Sequence, residues 1–163
     1  MNTSNNNILI TGGASGIGRG LAEAFHALGN QVVIAGRTQK SLDEVTRANP
    51  GIKSLTLDVA DDQDLNAFAT RLIAEFPKLN VLVNNAGIMR NENLLENAEQ
   101  QLADAEAMVA TNLLGPIRLT AALLPHLRKQ PGATVINVTS GLAYVPLAMT
   151  PTYCATKAAI HSY

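Results

Sequence analysis

The chain has 163 residues, 47% of them apolar and 15% charged, with a formal net charge of −1. That length suits one domain rather than two and allows an independent core. The apolar excess excludes a disordered chain, and near-neutrality gives no electrostatic reason to expect nucleic acid or an anionic membrane as partner.

Cys154 is the single cysteine, so an intrachain disulfide and a Cys-rich zinc site are excluded, which fits a reducing, cytoplasmic setting. The start, Met1 to Asn7, is polar and has neither the basic segment nor the apolar stretch of a signal peptide. No apolar run approaches the roughly 20 residues of a bilayer span. Beyond the Asn-rich start there is no repeat, linker or low-complexity stretch.

Ile8-Leu9-Ile10 reads as a buried first strand ending in the turn Thr11-Gly12-Gly13. Ile17, Leu21, Ala24, Phe25 and Leu28 then fall on one helix face, stopped by Gly29-Asn30. Gln31 to Ala35 is a second strand. Ser41 is expected to cap the next helix, with Glu44 completing a capping box. Ser54 to Leu57 reads as strand three, Asp61 to Phe76 as helix, and Leu79 to Val83 as strand four. The stretch from Leu102 to Lys129 is helical, with a kink expected at Gly115-Pro116. Ala133 to Val138 is strand five, and Pro151 opens a last helix carrying Tyr153 to Tyr163. Strands of continuous apolar residues alternating with helices imply an α/β fold, a doubly wound parallel sheet in the order 3-2-1-4-5.

The turn Thr11-Gly12-Gly13-Ala14-Ser15-Gly16-Ile17-Gly18 joins a strand to a helix. Gly12 permits the tight turn, Gly16 lets backbone approach a pyrophosphate, and Gly18 allows close packing of helix on sheet. The helix N-terminus beyond offers free N–H groups to phosphate. Where sites selective for the non-phosphorylated dinucleotide carry an acidic residue, at the end of strand two, this chain has Gly36-Arg37-Thr38. Arg37 suits a 2′-phosphate through a forked contact. The other reading of Arg37 is a solvated loop residue.

Ser140 follows strand five, at the C-terminal edge of the sheet where open α/β sheets bind ligands. Tyr153 and Lys157 are four apart and share a helix face. A free phenol titrates near ~10, and an adjacent ammonium favours its ionised form. That pairing suits protonation of a carbonyl oxygen as hydride reaches the carbon, with Ser140 holding the same oxygen.

In these elements the sequence resembles the short-chain dehydrogenase/reductase family. Thr11 to Gly18 matches its cofactor turn and Asn84-Asn85-Ala86-Gly87 its motif after strand four. Asn112 matches its helix asparagine, Ser140 its serine, and Tyr153 with Lys157 its Tyr-x-x-x-Lys pair. The thirteen-residue step from Ser140 to Tyr153 is also the family's.

The resemblance implies one NAD(P)-binding Rossmann-like domain over residues 1–163 and transfer of hydride between NADP(H), or alternatively NAD(H), and a small alcohol or carbonyl substrate. Tyr153 would be the general acid/base, and Lys157 would tune it and hold the nicotinamide ribose. Ser140 would orient the substrate oxygen, and Asn112 would hold a water relaying protons from Lys157. Gly12, Ser15, Gly16, Ile17 and Gly18 would cradle the cofactor. Asp58 and Val59 would contact adenine, and Asn85, Ala86 and Gly87 the adenosine ribose side. A homodimer or homotetramer is expected, with Leu113, Ile117, Ala121 and Leu124 as an apolar stripe.

Family members continue past the point where this chain stops, with two more strands and a substrate-covering segment. The sequence is therefore read as an incomplete piece of an enzyme, the competing reading being a truncated, non-catalytic dinucleotide-binding or interaction protein. A methyltransferase explains neither Ser140 nor Tyr153-x-x-x-Lys157. His26, His126 and His161 lack metal-ligand spacing, and Met89 and Met108 read as packing residues.

Overall fold

The computed structural model describes residues 2–93, 95 and 98–163. Five parallel strands form one sheet in the order β3-β2-β1-β4-β5: β1 Asn7–Thr11, β2 Gln31–Gly36, β3 Lys53–Thr56, β4 Val81–Asn84 and β5 Thr134–Asn137. This is the Rossmann-like arrangement the alternation of elements implies. The register pairs Leu9 with Val33 on one side and with Leu82 on the other.

Helices cover both faces, which is why the central strands are apolar without alternation. Successive side chains nevertheless point to opposite faces. Leu9, Val33 and Leu82 join one core with Leu65, Phe68 and Leu72 of α3 (Asp62–Glu75) and Leu119, Leu123 and Leu127 of α5 (Gly115–Leu127). Ile8, Ile10, Val32, Ile34, Val81 and Val83 join a second core with Ala22 of α1 (Gly16–Ala27) and Leu42 and Val45 of α2 (Gln39–Ala48). Each fully buried aliphatic side chain contributes about 1.5–3 kcal/mol.

Two local expectations are corrected. Helix α2 starts at Gln39 with Thr38 as its N-cap residue, so Ser41 lies inside the first turn and does not cap it. The kink foreseen at Gly115-Pro116 is a π-helical turn over Ala110–Leu114, between α4 (Ala98–Val109) and α5. Pro116 has no N–H, and its ring crowds the carbonyl four residues back, at Asn112. The widened turn relieves both, and the Gly115 N–H reaches back to the Ala110 carbonyl.

The sequence reading that no run approaches spanning length is also amended. The continuous helical stretch Glu99–Leu127 runs 29 residues and contains an 18-residue segment of mean hydropathy 1.4, so it is long and apolar enough to cross a bilayer by length and composition. In this fold Leu119, Leu123 and Leu127 spend that apolar character on the core.

The Asn-rich start is structural. The Asn7 N–H donates to the Asn80 side chain at 2.8 Å, the Asn80 amide to Asn6 at 3.1 Å, and the Asn6 amide to Asn30 at 2.9 Å. These side chains stitch together the beginnings of β1, β2 and β4. The last helix, α6 (Pro151–Ser162), packs against α4 and the π turn.

Candidate active site

After β1 the chain turns to one side of the sheet, and after β3 it crosses to the other, so the carboxyl ends of β1 and β4 open a crevice between them. Two cavities of about 250 and about 300 Å³ lie there and share Gly12, Ser15, Ala86, Gly87 and Ile88.

The glycine turn forms their common wall. Gly12 and Gly16 have φ of 65° and 50°, a left-handed backbone that favours glycine. A Cβ on Gly18 would run into the Gly12 carbonyl and the Asn85 side chain, so only hydrogen lets α1 sit this close to the sheet. Ser15 precedes α1 with its hydroxyl unused as a cap, and the first turn of α1 carries no acidic residue. Ile17 stands 69% exposed there. Free N–H groups, a positive helix end and an uncovered apolar side chain fit the phosphates and ring of a dinucleotide.

The segment after β4 is held against this turn by one hydroxyl. Thr11 Oγ1 accepts the N–H groups of Asn85 and Ala86, both at 3.0 Å, and the Asn85 side chain donates to the Thr11 carbonyl at 2.9 Å. Asn85 therefore lines the second cavity while its amide braces the turn. Asn84 is buried and donates to Thr120 and Asn137, tying β4 to α5 and β5.

Asn112, 1% exposed, sits in the π turn. Its amide donates to the Ile88 carbonyl at 2.8 Å and to Thr156 Oγ1 at 3.1 Å, and its Oδ1 accepts the Ile88 N–H. The side chain of Asn112, the residue expected to hold a water, is thus engaged with protein, which leaves its main-chain carbonyl for that role.

Tyr153 and Lys157 of α6 line the second cavity with Val138 and Thr139 from the end of β5. The ammonium of Lys157 lies 5.8 Å from the centre of the Tyr153 ring and donates to the Val138 carbonyl at 2.9 Å. Lys157 is 5% exposed, and that burial pushes its pKa below the ordinary lysine value. Ser140 accepts the Leu142 N–H at 3.1 Å and caps a short 3-10 turn, Gly141–Ala143. It follows Thr139 but does not itself line the cavity.

The first cavity is walled by Arg37, Thr38, Ser41, Asp58 and Val59. Arg37 is exposed, and among the described residues no carboxylate pairs with it. Asp58 accepts the Ala60 N–H at 3.0 Å, which shapes the loop after β3. Thr11, Ile88, Thr139 and Thr156 were not foreseen as site residues. Thr11 stood inside the glycine motif; the others carry no local signal. Met89, expected as packing, is 56% exposed and lines the second cavity, whereas Met108 is fully buried. Among the described residues no cluster of three His, Cys, Asp or Glu is placed to hold a metal.

Comparison with known proteins follows this geometry. A family model described as short chain dehydrogenase matches residues 6–163. DltE of Bacillus subtilis (strain 168), an uncharacterized oxidoreductase, is 45% identical over 163 residues, covering 100% of this chain and 64% of its own length. L-fucose dehydrogenase of Bos taurus is 35% identical over 153 residues, 94% of this chain and 56% of its own. Among solved structures, a short-chain dehydrogenase from Streptomyces avermitilis superposes with a TM-score of 0.87 at 34% identity, covering 97% of this chain and 58% of that one. A short-chain dehydrogenase of Shigella flexneri, solved in complex with NADP, gives 0.88 at 25% identity, over 98% and 69%. The chain thus spans between half and two thirds of the length of the curated relatives it matches.

Proposed function

The chain belongs to the short-chain dehydrogenase family, and we propose that it forms the cofactor-binding and catalytic part of an NADP(H)- or NAD(H)-dependent oxidoreductase acting on a small alcohol or carbonyl compound. The observation that carries this reading is the buried Lys157 ammonium beside Tyr153, in a cavity walled by the glycine turn.

Gly12, Ser15, Gly16, Ile17 and Gly18 would hold the dinucleotide's phosphates and nicotinamide end, and Asp58 and Val59 its adenosine end, with Ala86 and Gly87 shared by both cavities and Asn85 on the Tyr153 side. The cofactor, when bound, supplies or accepts the hydride. Tyr153 gives its phenolic proton to the substrate oxygen in reduction and takes it back in oxidation. Lys157 stabilises the phenolate by charge. Ser140, next to the cavity-lining Thr139 and donating no hydroxyl bond among the described residues, would steady the same oxygen. Asn112 anchors Ile88 and, through its main-chain carbonyl, is the candidate holder of a relay water, since Pro116 cannot make the usual helical bond to it.

NADP(H) is the favoured partner, because Arg37 lines the far cavity with Thr38 and Ser41 and, among the described residues, is in no ion pair with a carboxylate. The complex of the Shigella relative with NADP supports the same choice. Leu124 is 45% exposed on α5, and with half-buried Leu113 and Ile117 it supports assembly as a dimer or tetramer, which light scattering reads directly.

The direct test follows oxidation of NADPH and NADH by the intact protein against a panel of aldehydes and ketones. Binding of either cofactor to the 163-residue chain alone, without turnover by the intact protein, would favour a non-catalytic binding role instead.

A further inference from the structure

The catalytic reading leaves one buried acid without a task. Glu92 is 8% exposed, and it is the only buried carboxylate among the described residues. Both of its oxygens are taken by one residue of α6: Thr152 donates its N–H to Oε2 at 2.8 Å and its hydroxyl to Oε1 at 2.6 Å. The Glu92 N–H in turn donates to the Met149 carbonyl, just ahead of the helix, at 2.9 Å. The helix lacks a cap of its own, for Thr150 at the N-cap position makes no side-chain cap bond. A carboxylate supplied from 60 residues away fills that place, where charge-assisted bonds and the positive helix end both favour an anion.

The segment that carries Glu92 also carries the cavity-lining residues Ala86 to Met89. Asn112 ties its near end, at Ile88, to Thr156. The segment is thus linked to α6 at Thr152 and Thr156, on either side of Tyr153. We propose that Glu92 is a positioning residue, fixing the first turn of α6 so that the Tyr153 hydroxyl meets the substrate oxygen held over the cofactor. The proposal rests on the reading of Tyr153 as acid/base.

In the intact protein, Glu92→Ala should lower kcat by about tenfold or more, with substrate KM and cofactor Kd within about threefold, because small misplacements of a reacting group are costly. Glu92→Gln should recover kcat to within about threefold. Its amide oxygen still accepts the Thr152 N–H, and its NH2 can donate to the Thr152 hydroxyl. Thr152→Val, which keeps only the main-chain bond, should fall between.

Unchanged kcat in Glu92→Ala overturns the proposal, as does an equal loss in cofactor Kd, or Glu92→Gln as impaired as Glu92→Ala. If Glu92→Ala does not fold, Thr152→Val decides in the same way. Tyr153→Phe is measured alongside. Turnover surviving in it sinks the acid/base reading and this proposal together, whereas its loss with normal kcat in the Glu92 and Thr152 variants sinks this proposal alone.

Discussion

Asn112 and Ile88 exchange two hydrogen bonds, the Asn112 amide donating to the Ile88 carbonyl and the Ile88 N–H donating back to Oδ1, each at 2.8 Å. A carboxamide has the donor and acceptor of a peptide group, so it pairs with an irregular backbone segment as a neighbouring strand would. Asparagine at this position therefore shapes the cavity wall at Gly87 and Ile88. Asn112→Ala leaves both Ile88 groups without side-chain partners, at about 1–3 kcal/mol for each group were it fully buried and less here, where Ile88 is half-buried. A loss of about 2–4 kcal/mol in urea unfolding is expected, together with weakened cofactor binding. Stability within about 0.5 kcal/mol of wild type would mean that water replaces the side chain without penalty.

Arg37 bears on cofactor choice. It lines the far cavity, and its guanidinium has no carboxylate partner among the described residues. Hydrogen bonds to charged groups are worth about 1.5–3 kcal/mol, so Arg37→Ala should weaken NADPH binding roughly 10- to 100-fold and leave NADH nearly unchanged. Calorimetric titration of both cofactors reads the difference. Equal weakening for the two would return Arg37 to a solvated loop residue.

Much of this was legible in the sequence because periodicity and glycine spacing are local signals. Ile8-Leu9-Ile10 before Thr11-Gly12 announces a buried strand and turn, and Tyr153 with Lys157 announces a shared helix face. The residues that escaped act at long range. Thr11 secures Asn85 and Ala86 across 74 and 75 positions, and Glu92 reaches Thr152 across 60. Hydrogen bonds of this kind have no period to detect. Ser41 misled because a Ser and a Glu three apart satisfy the capping-box pattern wherever they fall in a first turn; the extended backbone of Thr38 set the helix start instead.

Lys157 should leave a signature in stability as well as in catalysis. Burial lowers its pKa in the folded protein. Below that lowered value the side chain is charged in both states, and the folded state bears the full cost of the buried charge. Above the ordinary lysine value, near ~10.4, it is neutral in both and the cost is gone. Between the two the unfolded chain binds more protons, so stability rises with pH through this window. Lys157→Met lacks the group. The stability of wild type relative to this variant should therefore climb as pH rises toward about 10 in paired urea titrations. A flat or falling difference would show that the ammonium bears no burial cost.

The chemistry itself is tested at Tyr153. In the intact protein, Tyr153→Phe keeps the ring in the second cavity beside Lys157 and removes only the hydroxyl. Cofactor affinity should survive within about threefold, because nothing in the glycine turn or the Ile88 clamp depends on that oxygen. Turnover should fall by the 10²–10⁴-fold that positioned acid–base groups typically supply. Lys157→Met should harm both, since the same ammonium is assigned to the ribose and to the phenolate. Ser140→Ala should lower turnover less than Tyr153→Phe, because on the proposed reading it removes only a hydrogen bond to the substrate oxygen and not the proton that oxygen needs, and its loss of the Leu142 cap is confined to a three-residue turn. A Tyr153→Phe protein with turnover within about threefold of wild type would place the proton donor elsewhere in the crevice.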